Sequence, residues 1–115
     1  MNSETKSKPT VVCICGSGRF WAETQRQRSA YTLRGIIIVG PEVNAKEVDL
    51  TDDQKYELDA LHFHKINLAD EVLVVDLDTA NSDMPQHIGE STKREIAYAI
   101  QSGKTVKYLS KLESQ

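Results

Sequence analysis

Four short apolar runs alternate with longer polar segments along the chain. The runs cover residues 10–15, 35–40, 71–76 and 105–110. The first three are nearly continuous and rich in β-branched residues, a pattern typical of strands buried on both faces of a parallel sheet. We therefore predict four main strands, most of them parallel.

The polar segments between the runs have helical character. We predict helices over residues 19–34, 52–69 and 92–102, with Gly35 and Gly103 ending the first and the third. Strands that alternate with helices imply crossover connections and a sheet covered by helices. The predicted fold is a single-domain, doubly wound α/β fold, Rossmann-like or flavodoxin-like, with a mostly parallel sheet of four to five strands.

Length and charge restrict the class of protein. The chain has 115 residues, enough for one core, and its start is polar, so we expect a flexible tail over residues 1–9 and a domain over 10–115. With 14 basic and 17 acidic residues the net charge is -3, which argues against a nucleic acid polymer as partner. No apolar run approaches the roughly 20 residues that cross a membrane. We expect a cytoplasmic protein with no membrane partner.

The only two cysteines, Cys13 and Cys15, lie in the first predicted strand. Two residues apart they point to the same face, an awkward geometry for a mutual disulfide. No second cysteine pair completes a zinc site. The sequence therefore favours two reduced, buried thiols and no metal site.

The loop after the first strand has the sequence CGSGRF. Gly16 and Gly18 would let backbone N–H groups point at an anion, while Ser17 and Arg19 add a hydroxyl and a guanidinium. The loop matches neither a Walker motif nor a complete G-x-G-x-x-G. The alternative is a tight turn that uses glycine for a positive φ. The aromatic residues that follow are expected in a wall or in the core: Phe20 and Trp21.

The third predicted helix has an apolar stripe with Glu95 at its edge. The stripe, which we expect to pack on the sheet, contains Ile96, Ala99, Ile100 and Gly103. The side chains expected toward solvent are Arg94, Tyr98 and Gln101. Glu95 would then look along the carboxyl edge of the sheet toward the first loop, where ligands bind in such folds.

Two roles for Glu95 remain open. With Thr92 as N-cap, Glu95 occupies the N3 position of a capping box, which is a structural role. Alternatively, an ionised carboxylate near a helix N-terminus can stabilise or capture an oxocarbenium-like sugar carbon. Ser91 and Thr92 could then hold sugar or phosphate oxygens.

Three segments resemble the nucleoside 2-deoxyribosyltransferase superfamily, and within it the 2'-deoxynucleoside 5'-phosphate N-hydrolases. They are CGSGR, ADEVLVV and REIAYAIQSGKTV, and the resemblance spans residues 10–110. It implies that Glu95 is the nucleophile and that the loop of Cys15, Gly16, Ser17 and Arg19 holds a 5'-phosphate. It also implies a homodimer whose sites lie near the interface. From the position of the helix start we expect Gly89, Ser91 and Thr92 to bind substrate.

Two positions depart from the family pattern. The family has a tyrosine where this chain has Cys13, and a catalytic aspartate where it has His62, with Asp59 almost one turn earlier. A histidine can orient Glu95 or bind a sugar hydroxyl, but it cannot act as the second carboxylate. His62 also lies at the border of two apolar stripes on its helix, which is compatible with a purely structural role between the sheet and a second subunit.

The sequence as a whole predicts a nucleotide N-glycosidase or deoxyribosyltransferase-like enzyme. Glu95, assisted by His62, would cleave the N-glycosidic bond of a (deoxy)nucleoside 5'-monophosphate without metal or redox cofactor. The expected partners are a small-molecule nucleotide or nucleoside and further copies of the chain, as a homodimer or higher oligomer. The alternatives are a nucleotide-binding module without turnover and a structural homodimer without ligand.

Overall fold

A computed structural model describes residues 8–113, so residues 1–7 of the predicted tail and residues 114–115 lie outside the described part. The strands are β1 (Val11–Gly16), β2 (Ile37–Val39), β3 (Glu71–Val75) and β4 (Thr105–Tyr108). The helices are α1 (Trp21–Leu33), α2 (Asp52–Leu68), α3 (Glu90–Gln101) and α4 (Leu109–Glu113), with a 3₁₀ turn at Gly18–Phe20. No helix in the described part is long and apolar enough to span a membrane.

The four strands form one all-parallel sheet in the order β2-β1-β3-β4. The chain first moves from β1 to one side and then crosses back to add β3 and β4 on the other side. The strand order therefore reverses between β1 and β3, which is where open α/β sheets bind ligands. The predicted fold class, a doubly wound α/β domain of the Rossmann-like or flavodoxin-like type, is confirmed.

Residues of β1 and β3 alternate between two cores because successive side chains of a strand point to opposite faces. The core on the α2 and α3 side contains Cys13, Cys15, Val72 and Val74 with Ile66, Ala69, Ile96 and Ala99. The core on the opposite side contains Val12, Ile14, Leu73 and Val75 with Phe20 and Leu109. Both central strands are thus buried on two faces, as their continuous apolar sequences predict.

The outer strands differ from the prediction. The apolar run 35–40 forms only the three residues of β2, and Ile37 keeps 47% of its surface exposed. The prediction of burial on both faces is wrong here because β2 pairs with β1 alone and forms the sheet edge. At the other edge, the run 105–110 leaves the sheet at Tyr108 and continues directly into α4, which the pattern did not predict.

The start of α3 also differs from the prediction. The helix begins at Glu90 with Gly89 as N-cap, so Thr92 lies inside the first turn and is buried. Glu95 falls in the second turn, and the capping box of Thr92 with Glu95 is wrong. The chain has its capping box at α2 instead, between Thr51 and Gln54.

The packing face of α3 is turned slightly from the predicted one. Ile96 and Ala99 are buried as expected, but Ile100 is 60% exposed. Tyr98, expected toward solvent, packs edge-on against Phe63 of α2 with ring centroids 4.9 Å apart. Because α2 lies beside α3 on the same face of the sheet, it covers the side of α3 that the sequence pattern assigns to water.

Candidate functional site

A cavity of about 460 Å³ is lined by residues of the loop after β1, of the start of α3 and of the facing side of α2. Its volume is in the range of small-molecule sites, roughly 300–1,000 Å³. The predicted site residues that line it are Gly16, Ser17, Gly18, His62, Gly89, Ser91, Thr92 and Glu95. The loop after β1 and two helices that are far apart in sequence thus converge on one space. Trp21 forms part of the wall and Phe20 lies in the core, as predicted.

Arg19 is the one predicted site residue that does not line the cavity. Its side chain is exposed, and its backbone N–H donates to the Ser17 hydroxyl oxygen at 3.1 Å. Ser17 therefore caps the short 3₁₀ turn that contains Arg19. The hydroxyl hydrogen of Ser17 can still be donated to a ligand.

Gly16 in the first loop permits close packing against β3, and neither Gly16 nor Gly18 has a positive φ. In the described part of the chain, positive φ angles occur only at Gly35 and Gly103. A Cβ atom at Gly16 would lie 2.9 Å from the carbonyl oxygen of Val75 on β3. The alternative of a turn that needs glycine for a positive φ is therefore wrong for Gly16 and Gly18.

Glu95 and His62 face each other at the wall of the cavity. The Oε1 atom of Glu95 lies 3.7 Å from Nε2 of His62, and the two side chains are only 13% and 10% exposed. The distance is too long for a hydrogen bond but short enough for a strong electrostatic interaction in a desolvated place. The predicted pair is thus brought together by α2 and α3.

Beneath this pair lie the two thiols of β1. The Nε2 atom of His62 is 3.2 Å from Sγ of Cys15 and 3.8 Å from Sγ of Cys13. Both cysteines are buried and free, as predicted from their spacing on one strand face. The contact between the thiols and the His62 imidazole could not be predicted from residue spacing along β1, because His62 follows Cys15 by 47 residues.

The side chains of Glu95, His62, Cys13 and Cys15 shift one another's pKa values. Burial raises the pKa of Glu95 to about 6, although the nearby His62 works against the rise. Burial lowers the pKa of His62, but the hydrogen bond with Cys13 and the charge of Glu95 outweigh it and raise that pKa overall. The hydrogen bond from Cys15 lowers the pKa of Cys13 to about 6, and the same bond with burial raises the pKa of Cys15. Of the two thiols, Cys13 is therefore the one that ionises first.

The sequence did not predict the wall formed by the segment after β2 and by α2. The additional lining residues are Thr24, Pro41, Glu42, Val43, Ala45, Leu50, Lys55, Leu58, Asp59, Leu61 and Lys65. Asp59, which precedes His62 by one helical turn, also raises the pKa of Glu95 through its charge. The spacing of Asp59, His62 and Lys65 at i, i+3 and i+6 is the signal that could have indicated a polar strip on α2.

Comparisons with known proteins find no match to this sequence among protein-family models or among curated proteins.

Proposed function

We propose that the protein cleaves the N-glycosidic bond of a (deoxy)nucleoside 5'-monophosphate, as an N-glycosidase or a deoxyribosyltransferase-like enzyme. One observation carries the proposal: the Glu95 carboxylate, the His62 imidazole and the Gly16–Gly18 loop line a single cavity. The resemblance of three sequence segments to nucleoside 2-deoxyribosyltransferases supports the same chemistry. The cavity has the size of a small-molecule site.

Glu95 acts as the nucleophile in this proposal. One carboxylate oxygen bonds to C1' of the sugar as the bond from C1' to the base nitrogen breaks, and the departing base takes up a proton. A water molecule then attacks C1', loses a proton and releases the Glu95 carboxylate with the free sugar phosphate. In the transferase variant a second base attacks C1' in place of water.

His62 serves as the positioning partner of Glu95. Its Nε2 atom lies 3.7 Å from the carboxylate, so a protonated imidazole favours the ionised nucleophile without blocking its oxygens in a short hydrogen bond. Asp59 also lines the cavity and supplies a second carboxylate one helical turn from His62. The pair of carboxylates that glycosidic chemistry commonly uses would then be Glu95 and Asp59.

The sugar and phosphate oxygens are expected near the start of α3. Gly89 has no side chain that could cap this helix, so the first-turn N–H groups are suited to ligand oxygens. Ser91 and Thr92 line the cavity at the same place. Positive charge for the phosphate comes from Lys55 and Lys65 of α2, which line the cavity where Arg19 does not.

A second candidate function is a nucleotide-binding module without turnover. It is favoured by His62, which stands where the resemblance leads us to expect a catalytic aspartate. Asp59 is exposed and belongs to a different turn of α2. In this alternative Glu95 orients the bound sugar and no bond breaks.

A panel of nucleoside 5'-monophosphates separates the two functions. The protein is incubated with each nucleotide, free base is quantified by chromatography, and thermal stability is measured with the same panel. The proposed enzyme releases base from at least one nucleotide, whereas the binding module is stabilised by nucleotides that it never cleaves. Neither base release nor stabilisation across the panel would contradict both functions.

We propose a homodimer as the assembly. The resemblance implies it, and α2 presents apolar side chains on a side that the sheet does not cover. On this side Leu68 is 70% exposed, and Leu61, which also lines the cavity, is 49% exposed. A second copy on this side of α2 would cover these side chains and lie next to the cavity.

A further inference from the structure

The buried cluster beneath the cavity has the composition of a transition-metal site. Cys13 Sγ, Cys15 Sγ and His62 Nε2 all lie within 4.8 Å of one another. The spacing of the two cysteines along β1 places both sulfurs on the sheet face that α2 covers. The imidazole of His62 in α2 contacts both sulfurs there. Thiolate and imidazole are the ligands that Zn²⁺ prefers in tetrahedral sites.

The separations of the imidazole nitrogen from the two sulfurs are close to those around a tetrahedral ion. With Zn–S near about 2.3 Å and Zn–N near about 2.0 Å, neighbouring ligand atoms lie roughly 3.3–3.8 Å apart. The observed distances from His62 Nε2 are 3.2 Å to Cys15 Sγ and 3.8 Å to Cys13 Sγ. An ion could therefore be held between the imidazole nitrogen and the two sulfurs after small side-chain shifts.

A fourth ligand is available from the cavity side. Glu95 Oε1 lies 3.7 Å from His62 Nε2, which is also close to one edge of such a tetrahedron. Carboxylate oxygen is an ordinary zinc ligand at about 2.0–2.2 Å. Because His62 and Glu95 both line the cavity, an ion can reach the thiols through it without opening the sheet.

We infer that Cys13, Cys15, His62 and Glu95 form a binding site for a thiophilic divalent cation, with Zn²⁺ as the best fit. The two thiols release their protons to solvent when the ion binds. The two positive charges of the ion then take the place of those two protons between the sulfurs. The bound ion occupies the Glu95 oxygens, so it blocks the proposed attack on the sugar carbon. This inhibitory consequence rests on the proposed function, whereas the binding of the ion does not.

Titration of the reduced, tag-free protein with Co²⁺ tests the site directly. Co²⁺ takes the place of Zn²⁺ and gives a thiolate-to-cobalt charge-transfer absorption together with visible bands of a tetrahedral ion. We expect saturation at one ion per chain, reversal by a chelator and displacement by Zn²⁺. The absence of the charge-transfer absorption would overturn the proposal, because it would show that the cluster is held only by thiol–imidazole hydrogen bonds.

Variants assign the ligands. His62→Gln and the double variant Cys13→Ser with Cys15→Ser should abolish the charge-transfer absorption, while Glu95→Gln should weaken binding by at least about tenfold. His64→Gln is the matched control, since His64 lies exposed on the same helix and is expected to leave the titration unchanged. Circular dichroism checks that each variant folds. If the double cysteine variant does not fold, His62→Gln and Glu95→Gln still decide the result, and an unchanged titration in both would contradict the site.

An activity measurement on the same samples separates the two proposals. One equivalent of Zn²⁺ should stop base release by the wild-type protein, and a chelator should restore it. If no nucleotide is ever cleaved, the cobalt spectrum still establishes or refutes the ion site. If base release is unaffected by an ion that the spectrum shows to be bound, Glu95 is not its fourth ligand and that part of the proposal fails.

Discussion

Glu95 is held by its surroundings in a way that suits a nucleophile. It is only 13% exposed, and its Oε1 atom lies 3.7 Å from the His62 imidazole. A shorter contact would commit a carboxylate oxygen to a hydrogen bond, whereas this separation stabilises the charge and leaves the oxygen able to approach a carbon. The position of Glu95 in the second turn of α3 fits this role better than a capping role, which requires the first turn.

Gly16→Ala should destabilise the protein, because its Cβ would lie 2.9 Å from the backbone oxygen of Val75, which cannot move without disturbing β3. We expect a loss of about 1–3 kcal/mol in the free energy of unfolding, measured by urea denaturation. Gly18→Ala is the control. Its Cβ would first meet the flexible Lys46 side chain at 3.3 Å, so a loss below about 1 kcal/mol is expected. Equal losses in both variants would contradict the account of the first loop.

At the scale of elements, one buried carboxylate connects α1 with the long loop after β3. Glu23 is fully buried and accepts hydrogen bonds from the backbone N–H of Thr79 at 2.7 Å and from Gln27 at 2.8 Å. Burial raises the pKa of Glu23, but the hydrogen bonds from Thr79 and Gln27, with help from Arg26, outweigh it and lower the pKa to about 2. The loop is therefore fixed to α1 by an ionised group.

Stability should depend on pH through Glu23. Its folded-state pKa of about 2 lies below the ordinary value of 4.5, so the ionised group stabilises the fold above pH 4.5 and loses its contribution as the pH falls toward 2. The contribution at pH 7 is at most about 3 kcal/mol, and about half of it should be gone by pH 3. Urea denaturation of wild type and Glu23→Gln between pH 7 and pH 3 measures this. A difference in unfolding free energy that stays constant over this range would contradict the assignment.

The central elements could be predicted from the sequence because their signals are strong. β1 and β3 are continuous apolar runs, and the capping residues of α2 are explicit in Thr51 and Gln54. The start of α3 could not be predicted in the same way. Its true N-cap, Gly89, has no side chain to identify it, while Thr92 and Glu95 imitate a capping box three residues later.

At the scale of the whole molecule, the strand order decides which distant segments meet. The loop after β1 and the start of α3 were predicted to approach, because both follow strands of one parallel sheet at its carboxyl edge. The contribution of residues 41–50 could not be predicted, since their path depends on how the chain leaves the short edge strand β2. The cluster of His62 with the two thiols was missed for a related reason. It depends on how α2 lies on the sheet, which helical periodicity does not specify.

The exposed apolar side of α2 predicts a homodimer. One charged side chain introduced on this side should disrupt that dimer. Leu68→Arg places a charge on this side, where Leu68 is 70% exposed in one chain, and should convert the dimer to a monomer in sedimentation equilibrium. Leu33→Arg is the matched control, because Leu33 is 89% exposed at the end of α1, on the opposite layer of the fold, and should leave the dimer intact. A wild-type protein that sediments as a monomer at high concentration would contradict the predicted assembly.

The rate of base release by Glu95→Gln tests the central claim most directly. This substitution keeps the size of the side chain and removes the nucleophilic charge. Glu90→Gln is the control on the same helix, since Glu90 pairs with Lys93 at the surface and is not among the described residues that line the cavity. With a nucleotide that the wild type cleaves, we predict a loss of at least about 100-fold for Glu95→Gln and a wild-type rate for Glu90→Gln. Base release by Glu95→Gln at the wild-type rate would contradict the role of Glu95 as nucleophile.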